Sequence, residues 1–409
     1  MNPFYKEKKF EKLRQGPLSC YLDIFASQLI AEGYGVATAR KQLMLIAEFS
    51  SWLNEKRIQL DQLGEAQLKK FLADVSCKRP LRSTDSPALK RMLTIVQKHI
   101  ISPPVVSLEP SAIDILIEEF TFYLLRERGV TQTTVFHYQQ FVRCFLETRF
   151  AAGPVLISQL DAADVISFVR KQSAKLGYKR AKLMTCSLRS FLRFAYYKGL
   201  LPNELEAAVP KVVGWSRTDV PKALPVKHVA EILDLCDRKT HRGRRDVAIL
   251  LLLSRLGLRA GEVVKLKLDD IDWELSAITI CGKGGQVCKL PLPTDVGEAI
   301  SDYIQNGRPQ TNSRSIFFTV KAPIVPLTKQ ESVGHLVARL LVKAGIDTPR
   351  KGAHQLRHTL ATEMLRQGSS LEEIGELLRH RSPQSTMIYA KVDLLSLQKL
   401  ALPWPGGTP

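Results

Sequence analysis

The 409-residue chain lacks several things that would point to particular classes of protein. Its seven cysteines, at 20, 77, 144, 186, 236, 281 and 288, are odd in number and form no CxxC pair. That excludes a disulfide framework and a zinc knuckle, and it fits reduced thiols in a cytoplasmic protein. The apolar run from Val247 to Leu253 is too short for a membrane span and reads as a buried central helix. The N-terminal segment MNPFYKEKKFEKLR is basic but has no apolar h-region, so secretion is not expected. No lipidation signal and no basic amphipathic membrane helix is present. Negative charge is also short, with 40 Asp and Glu against 59 Lys and Arg, a net charge of +19.

That imbalance favours a polyanion as partner. It is sharpest from Arg170 to Lys198, which holds Arg170, Lys171, Lys175, Lys179, Arg180, Lys182, Arg189, Arg193 and Lys198 and no acidic residue. A solvated face would interleave both signs. Phe191, Leu192, Ala195 and Tyr196 give the second half an apolar stripe and leave Arg189 and Arg193 together on a wet face. We expect Lys175, Lys179, Arg180, Lys182, Arg189 and Arg193 to contact the backbone of double-stranded DNA.

The length allows two or three domains, and two proline-bearing segments, Ile101 to Pro110 and Trp215 to Pro225, read as linkers. The expected divisions are 1–105, 110–214 and 222–409. The first two look alike. FASQLIAEGYGVATARKQLMLIAEFSSWL from Phe25 lies on FTFYLLRERGVTQTTVFHYQQFVRCFL from Phe120, and QLGEAQLKKFL from Gln62 lies on QLDAADVISFV from Gln159. Both read as a helix, a turn at Gly35 or Gly129, a second helix, and a third near Leu68 or Val165, a duplicated small helical domain.

The third division carries the chemistry. Leu356, Leu360 and Met364 recur as the buried stripe of a helix from Ala353 to Gln367, which puts His354 and Arg357 on its other side. Gly368 ends that helix, and Ser370 with Glu373 forms a capping box that starts the next. Ser382 and Pro383 begin a further helix, with Tyr389 about two turns in. Gly257 closes the buried helix from Asp246 to Leu256, and Arg259 follows it. Ala277 to Pro291 reads as a β-hairpin with Lys283 at its tip.

Arg259, Lys283, His354, Arg357, His380 and Tyr389 together suit direct tyrosine attack on a phosphodiester. Two arginines can each grip two phosphate oxygens, while a lysine serves better as a point charge or proton donor. A phenol with a pKa of about 10 is ionised only about one part in a thousand at pH 7. Tyr389 therefore needs a neighbouring base or cation, a need that His354 and His380 could fill. HQLRH also imitates a zinc-protease helix, but Gln355 replaces the glutamate base and Arg357 sets a fixed charge beside any metal ion, so no metal is expected. On that reading His358 is a structural hydrogen bonder.

GLRAGEV around Arg259, GKGGQ around Lys283, HQLRHTLAT from His354, LLRHRS around His380 and STMIYAKVD around Tyr389 occur in an order that resembles the tyrosine recombinase (phage integrase) family over about residues 222–400. The resemblance implies a mainly α chain with a small β-hairpin or sheet in the catalytic domain (α+β). Two N-terminal helical SAM-like domains would precede that domain, the second closing with it as a clamp on DNA. It implies that Tyr389 forms a 3′-phosphotyrosyl link, that Arg259 and Arg357 hold the non-bridging oxygens, and that Lys283 protonates the leaving oxygen. His354 would assist proton transfer and His380 would hydrogen-bond the phosphate, with Glu262 orienting neighbouring side chains. No cofactor is required, because the new ester retains the energy of the broken one. Arg379 stands where that family usually has glycine, and Gly261 where serine is common.

Leu394, Leu395, Leu397 and Leu400 read as a terminal helix. By the same resemblance it docks on an adjacent protomer, implying a homo-tetramer on paired DNA sites, with related recombinases as possible co-partners. The expected function is a site-specific recombinase or integrase of a mobile genetic element. Its alternatives are a type IB topoisomerase-like relaxing enzyme and a non-catalytic DNA-binding regulator.

Overall fold

The computed structural model describes residues 13–99, 111–150, 153–212, 223–282, 285–349, 351–380 and 382–392. The chain separates into two compact units, Met1–Ser102 with Asp219–Pro409, and Pro103–Thr218. The expected linker 101–110, most of the linker from Trp215, Lys283 and the expected terminal leucine helix lie outside the described residues.

In the first unit, α1 (Leu22–Ala31), α2 (Val36–Glu55), α3 (Glu65–Lys78) and α4 (Asp85–His99) enclose a core built on Phe25, Leu29, Ile46, Phe49, Leu68 and Phe71. The second unit holds α5 (Ala112–Phe122), a π-helical turn at Tyr123–Glu127, α6 (Gln132–Phe150), α7 (Ala162–Ser173) and α8 (Tyr178–Tyr197). Its core uses Phe120, Leu124, Val142, Phe145, Val165 and Phe168 in the corresponding places. The reversal after α1 falls at Gly33, with φ +74°, and not at the expected Gly35, which precedes α2 in an extended conformation with φ −64°. Only the residue at the reversal needs the left-handed region that glycine enters without a Cβ clash. Gly33 comes eight residues after Phe25, whereas Gly129, at φ +58°, comes nine after Phe120. A π-turn accommodates one inserted residue, and it lies between Phe120 and Gly129.

The rest of the first unit is built on α10 (His241–Arg255), which follows α9 (Val226–Asp234). Residues Val247 to Leu253 of α10 are all buried, so this helix has no polar side over that stretch and is covered on every face. The Thr240 hydroxyl accepts the Gly243 N–H at 3.0 Å as its cap. Asp246, 2% exposed, is compensated by Arg245 and Arg339 at 3.0 and 2.6 Å. After α11 (Ala260–Val263) comes an antiparallel sheet in the order β1 (Ile271–Asp272), β2 (Ala277–Cys281), β3 (Val287–Pro291), with Ile278 opposite both Ile271 and Leu290. The β2–β3 pair is the expected hairpin. The remaining helices are α12 (Thr294–Asn306), α13 (Gln330–Lys343), α14 (His354–Arg366), α15 (Leu371–Leu377) and α16 (Pro383–Thr386).

Tyr389 does not sit two turns into a helix. The helix at Pro383 lasts one turn, and Tyr389 opens a 3₁₀ turn through Val392. The start at Ser382 has no side-chain cap, and burying the Tyr389 ring with Ala361, Ile374 and Leu378 outweighs the continuation of so short a helix.

Gly257, at φ +57°, turns the chain from α10 towards Arg259, and a Cβ there would lie 2.6 Å from Leu378 Cδ2 and 3.1 Å from Leu360 Cδ2. Gly257→Ala should therefore destabilise the protein by about 1–3 kcal/mol, through left-handed strain and overpacking together. Urea unfolding followed by circular dichroism checks this, and an unchanged midpoint would contradict it.

Candidate active site

Five of the six residues singled out in the C-terminal part fall on described positions, and the fold gathers them around α14. Arg357 is 1% exposed, although its spacing from the Leu356 stripe predicts an open face shared with His354. His354 is exposed, but Gln355, Leu356, Arg357, Thr359, Ala361 and Thr362 are all buried, so α14 is covered on more than one side. The Arg357 guanidinium donates to two backbone carbonyls, those of Gly257 and Leu378. Burial, followed by the charges of Arg259 and Arg379, pushes its pKa down to about 9, while Glu262 and Tyr389 act the other way. It remains a cation at neutral pH.

Arg259 is placed by the turn at Gly257 and by Glu262, three residues on. One Glu262 oxygen accepts the Arg259 backbone N–H at 2.9 Å, the reciprocal arm of a capping box, and the other accepts Arg259 Nη1 at 2.6 Å. Glu262 also accepts Arg379 Nη2 at 3.1 Å. Burial works to raise the Glu262 pKa, but the Arg259 hydrogen bonds and the Arg379 charge outweigh it, and the carboxyl is held below its usual range. The expected orienting role of Glu262 thus has a geometry.

Tyr389 is 1% exposed, and its phenol oxygen lies 2.9 Å from His358 Nδ1, with the rings edge to face at 5.6 Å. Burial pushes the phenol up to about 12, only partly opposed by the Arg357 charge. His354 packs edge to face on His358 with ring centroids 4.6 Å apart. The imidazole on the phenol is therefore His358, expected only as a structural hydrogen bonder, and not His354 or His380. Helical spacing pairs His354 with His358, but only the fold brings Tyr389 to them from 31 positions away.

His380 hydrogen-bonds Thr386 Oγ1 through Nδ1 at 2.8 Å. Burial, then the charges of Arg357, Arg259, His354 and Arg379, pushes it down to about 4, so it is a neutral imidazole at pH 7. Arg379 precedes it with φ +54°, a left-handed conformation that costs a side-chain-bearing residue about 1–2 kcal/mol. Arg259, Gly282, Arg379, His380 and Thr386 line a cavity of about 950 Å³. Lys283, the residue after Gly282, lies outside the described residues.

In the second unit Lys175, Lys179, Arg180 and Lys182 are exposed. The last three stand in the first turns of α8, where they oppose the helix dipole with no acidic residue to offset them. Arg189 and Arg193 both have protein partners, although the Arg193 side chain stays 48% exposed. Arg189 donates to the Val209 and Pro210 carbonyls at 2.9 and 3.0 Å, and Arg193 is paired with Glu206 at 2.8 Å. The turn at Glu206–Ala208 and the two residues that follow it lie against α8 and supply these acceptors. Tyr196 is 47% exposed, and Phe194 is buried in the stripe instead.

Comparison with known proteins gives a concordant result. The model of the phage integrase family matches residues 222–394, and that of the phage integrase N-terminal SAM-like domain matches residues 117–199. The putative integrase/recombinase y4rA of Sinorhizobium fredii is 44% identical over 394 residues, 96% of each chain. Tyrosine recombinase XerD of Listeria monocytogenes is 29% identical, covering 69% of this chain and 96% of its own. Among solved structures, the XerH site-specific recombinase bound to palindromic difH superposes with a TM-score of 0.56 at 18% identity, over 70% of this chain and 84% of that one. The Tn1549 transposon integrase bound to transposon right-end DNA gives 0.53 at 18%, over 70% and 99%. These two likenesses establish the fold.

The depressed His380 pKa fixes the sign of one pH effect. The imidazole takes up a proton in the unfolded chain near its ordinary 6.5 and in the folded one near 4, so its contribution is present above pH 6.5 and is lost as the pH falls towards 4. Melting temperature measured across that window should fall less steeply in His380→Asn than in the parent, and parallel curves would contradict the assignment.

Proposed function

The chain belongs to the phage integrase family and is a tyrosine recombinase, an enzyme that breaks and rejoins DNA, and from that premise we propose a mechanism and a residue assignment. Tyr389 Oη attacks a phosphorus of the DNA backbone, forming a tyrosyl ester on the 3′ side as the bond to the 5′ oxygen breaks. The phenol proton passes to an imidazole, and His358 is the one already in contact. Lys283 protonates the departing 5′ oxygen. One phosphate ester replaces another, so resealing is the same step reversed, with the attacking 5′-hydroxyl returning its proton to Lys283. Arg259 and Arg357 meet the non-bridging oxygens, His380 adds a neutral hydrogen bond, and His354 assists proton transfer through His358.

The observation that carries this reading is the buried phenol between His358 and the Arg357 charge. With the phenol pushed up to about 12 by burial, the tyrosine is protonated at neutral pH. It becomes a nucleophile only where an added phosphate draws it to the cations and a base takes its proton. The one-turn helix and 3₁₀ turn around Tyr389 give it a short support, tied to α14 by the His358 hydrogen bond and by packing on Ala361.

We assign 1–105 and 110–214 as helical domains, the second SAM-like, and 222–409 as the catalytic domain. Lys175, Lys179, Arg180 and Lys182 contact the DNA backbone, where a phosphate at the start of α8 offsets the charges crowded there. The assembly is a homo-tetramer on paired sites, the enzyme acts in the cytoplasm, and its gene belongs to a mobile element. Strand exchange between two such sites, and not relaxation of one duplex, is the activity that separates it from a topoisomerase.

The test uses a nicked duplex recovered by repeated binding selection from random sequence. Wild-type protein is expected to be trapped covalently on the 3′ phosphate, and Tyr389→Phe to bind within about 3-fold of wild type yet give no adduct. Persistent adduct in that variant would refute the nucleophile assignment.

A further inference from the structure

Arg379 is built at a cost that packing does not explain. It is one of three non-glycine residues with positive φ among those described. Its side chain is only 9% exposed, and its Nε is buried without a hydrogen-bond partner. Burying a guanidinium is unfavourable unless its donors are met, and here one is not. Glycine would relieve the backbone strain and the unmet Nε donor, but it would also take one ion-pair partner from the buried Glu262 carboxylate, so what the guanidinium holds decides its role.

What the side chain does touch is specific. Nη2 donates to Glu262 Oε2 at 3.1 Å and Nη1 to the Leu377 carbonyl at 2.9 Å, which ties the guanidinium between α15 and the start of α11. Glu262 presents its other oxygen to Arg259 Nη1 at 2.6 Å. The Arg379 carbonyl is itself 3.4 Å from Arg259 Nη2. Arg379 therefore approaches Arg259 by two routes, one through Glu262 and one through its own backbone, and both arginines line the same cavity.

We propose that Arg379 is a positioning residue that clamps Glu262 and thereby fixes the Arg259 guanidinium at the cavity wall in the orientation that receives the phosphate. Glu262 Oε2 already accepts the Arg259 backbone N–H at 2.9 Å, and Arg379 adds a second, charged donor to that same oxygen, which holds the carboxylate with Oε1 turned to Arg259 Nη1. The left-handed backbone is what turns the Arg379 side chain inward while its carbonyl stays within reach of Arg259. This inference rests on the reading that Arg259 grips the scissile phosphate.

The experiment is a double-mutant cycle on the full chain, using the same nicked duplex and reading the first-turnover cleavage rate. Arg379→Gly and Glu262→Gln should each slow cleavage by about 10-fold or more, and the double variant should be no slower than the worse single variant within about 3-fold. DNA affinity should change little, and circular dichroism should show Arg379→Gly folded at the assay temperature, so that slow cleavage reports the site and not unfolding. Arg379→Lys, which keeps the charge but loses the fork, should be slow as well. Losses that multiply in the double variant, or wild-type cleavage by Arg379→Gly, would overturn the proposal. Arg259→Ala separates the two levels. If it cleaves normally, the premise about Arg259 fails; if it is inactive while Arg379→Gly is normal, only the clamp fails.

Discussion

A guanidinium that is 1% exposed must have its donors met from within, and for Arg357 they are met by the carbonyls of Gly257 and Leu378. The Leu378 carbonyl belongs to the C-cap of α15, one of the acceptors a helix end leaves unpaired, and the Gly257 carbonyl belongs to the reversal just past the C-cap of α10. One side chain on α14 thus joins the termini of two others. Gly257 must be glycine for α10 to turn there. The chain leaving that turn carries Arg259, and the chain leaving Leu378 carries Arg379 and His380, so the arrangement of the site follows from how Arg357 is buried.

The same burial sets the electrostatics. Burial and then the charges of Arg259 and Arg379 depress Arg357, burial and then Arg259 depress Arg379, and burial with these cations holds His380 neutral, with Glu262 the carboxylate that offsets the two depressed arginines. Such a cluster is uncomfortable without an anion and comfortable with one, as a site that stabilises charge on a phosphate in the transition state should be. Tyr389 meets the opposite condition. Its buried phenol resists ionisation, so the resting protein keeps its nucleophile protonated beside His358.

Local signals were the legible ones. The apolar run of α10, the hairpin, the Ser370 capping box and the stop at Gly257 each depend on a few neighbouring residues, and each appears in the structure. The duplication is readable because buried phenylalanines recur, but the shared Gly-Val pairs, Gly35–Val36 and Gly129–Val130, favour Gly35 as the turn, whereas removing the π-turn's extra residue sets Gly129 opposite Gly33. Contacts between distant segments were not legible. Arg193 finds Glu206 beyond the basic stretch in which no acid occurs, and Tyr389 finds His358 on another helix. Arg379 was visible as an unexpected residue, but its left-handed backbone and its hold on Glu262 follow only from the fold.

The most direct measurement of the central claim is first-turnover DNA cleavage by Arg357→Lys, with DNA affinity and circular dichroism measured alongside. Lysine keeps the charge but cannot bridge two carbonyls and still present a fork to phosphate. The account predicts a folded, DNA-binding protein whose cleavage is slowed by about 100-fold or more. Cleavage within a few-fold of wild type would contradict it.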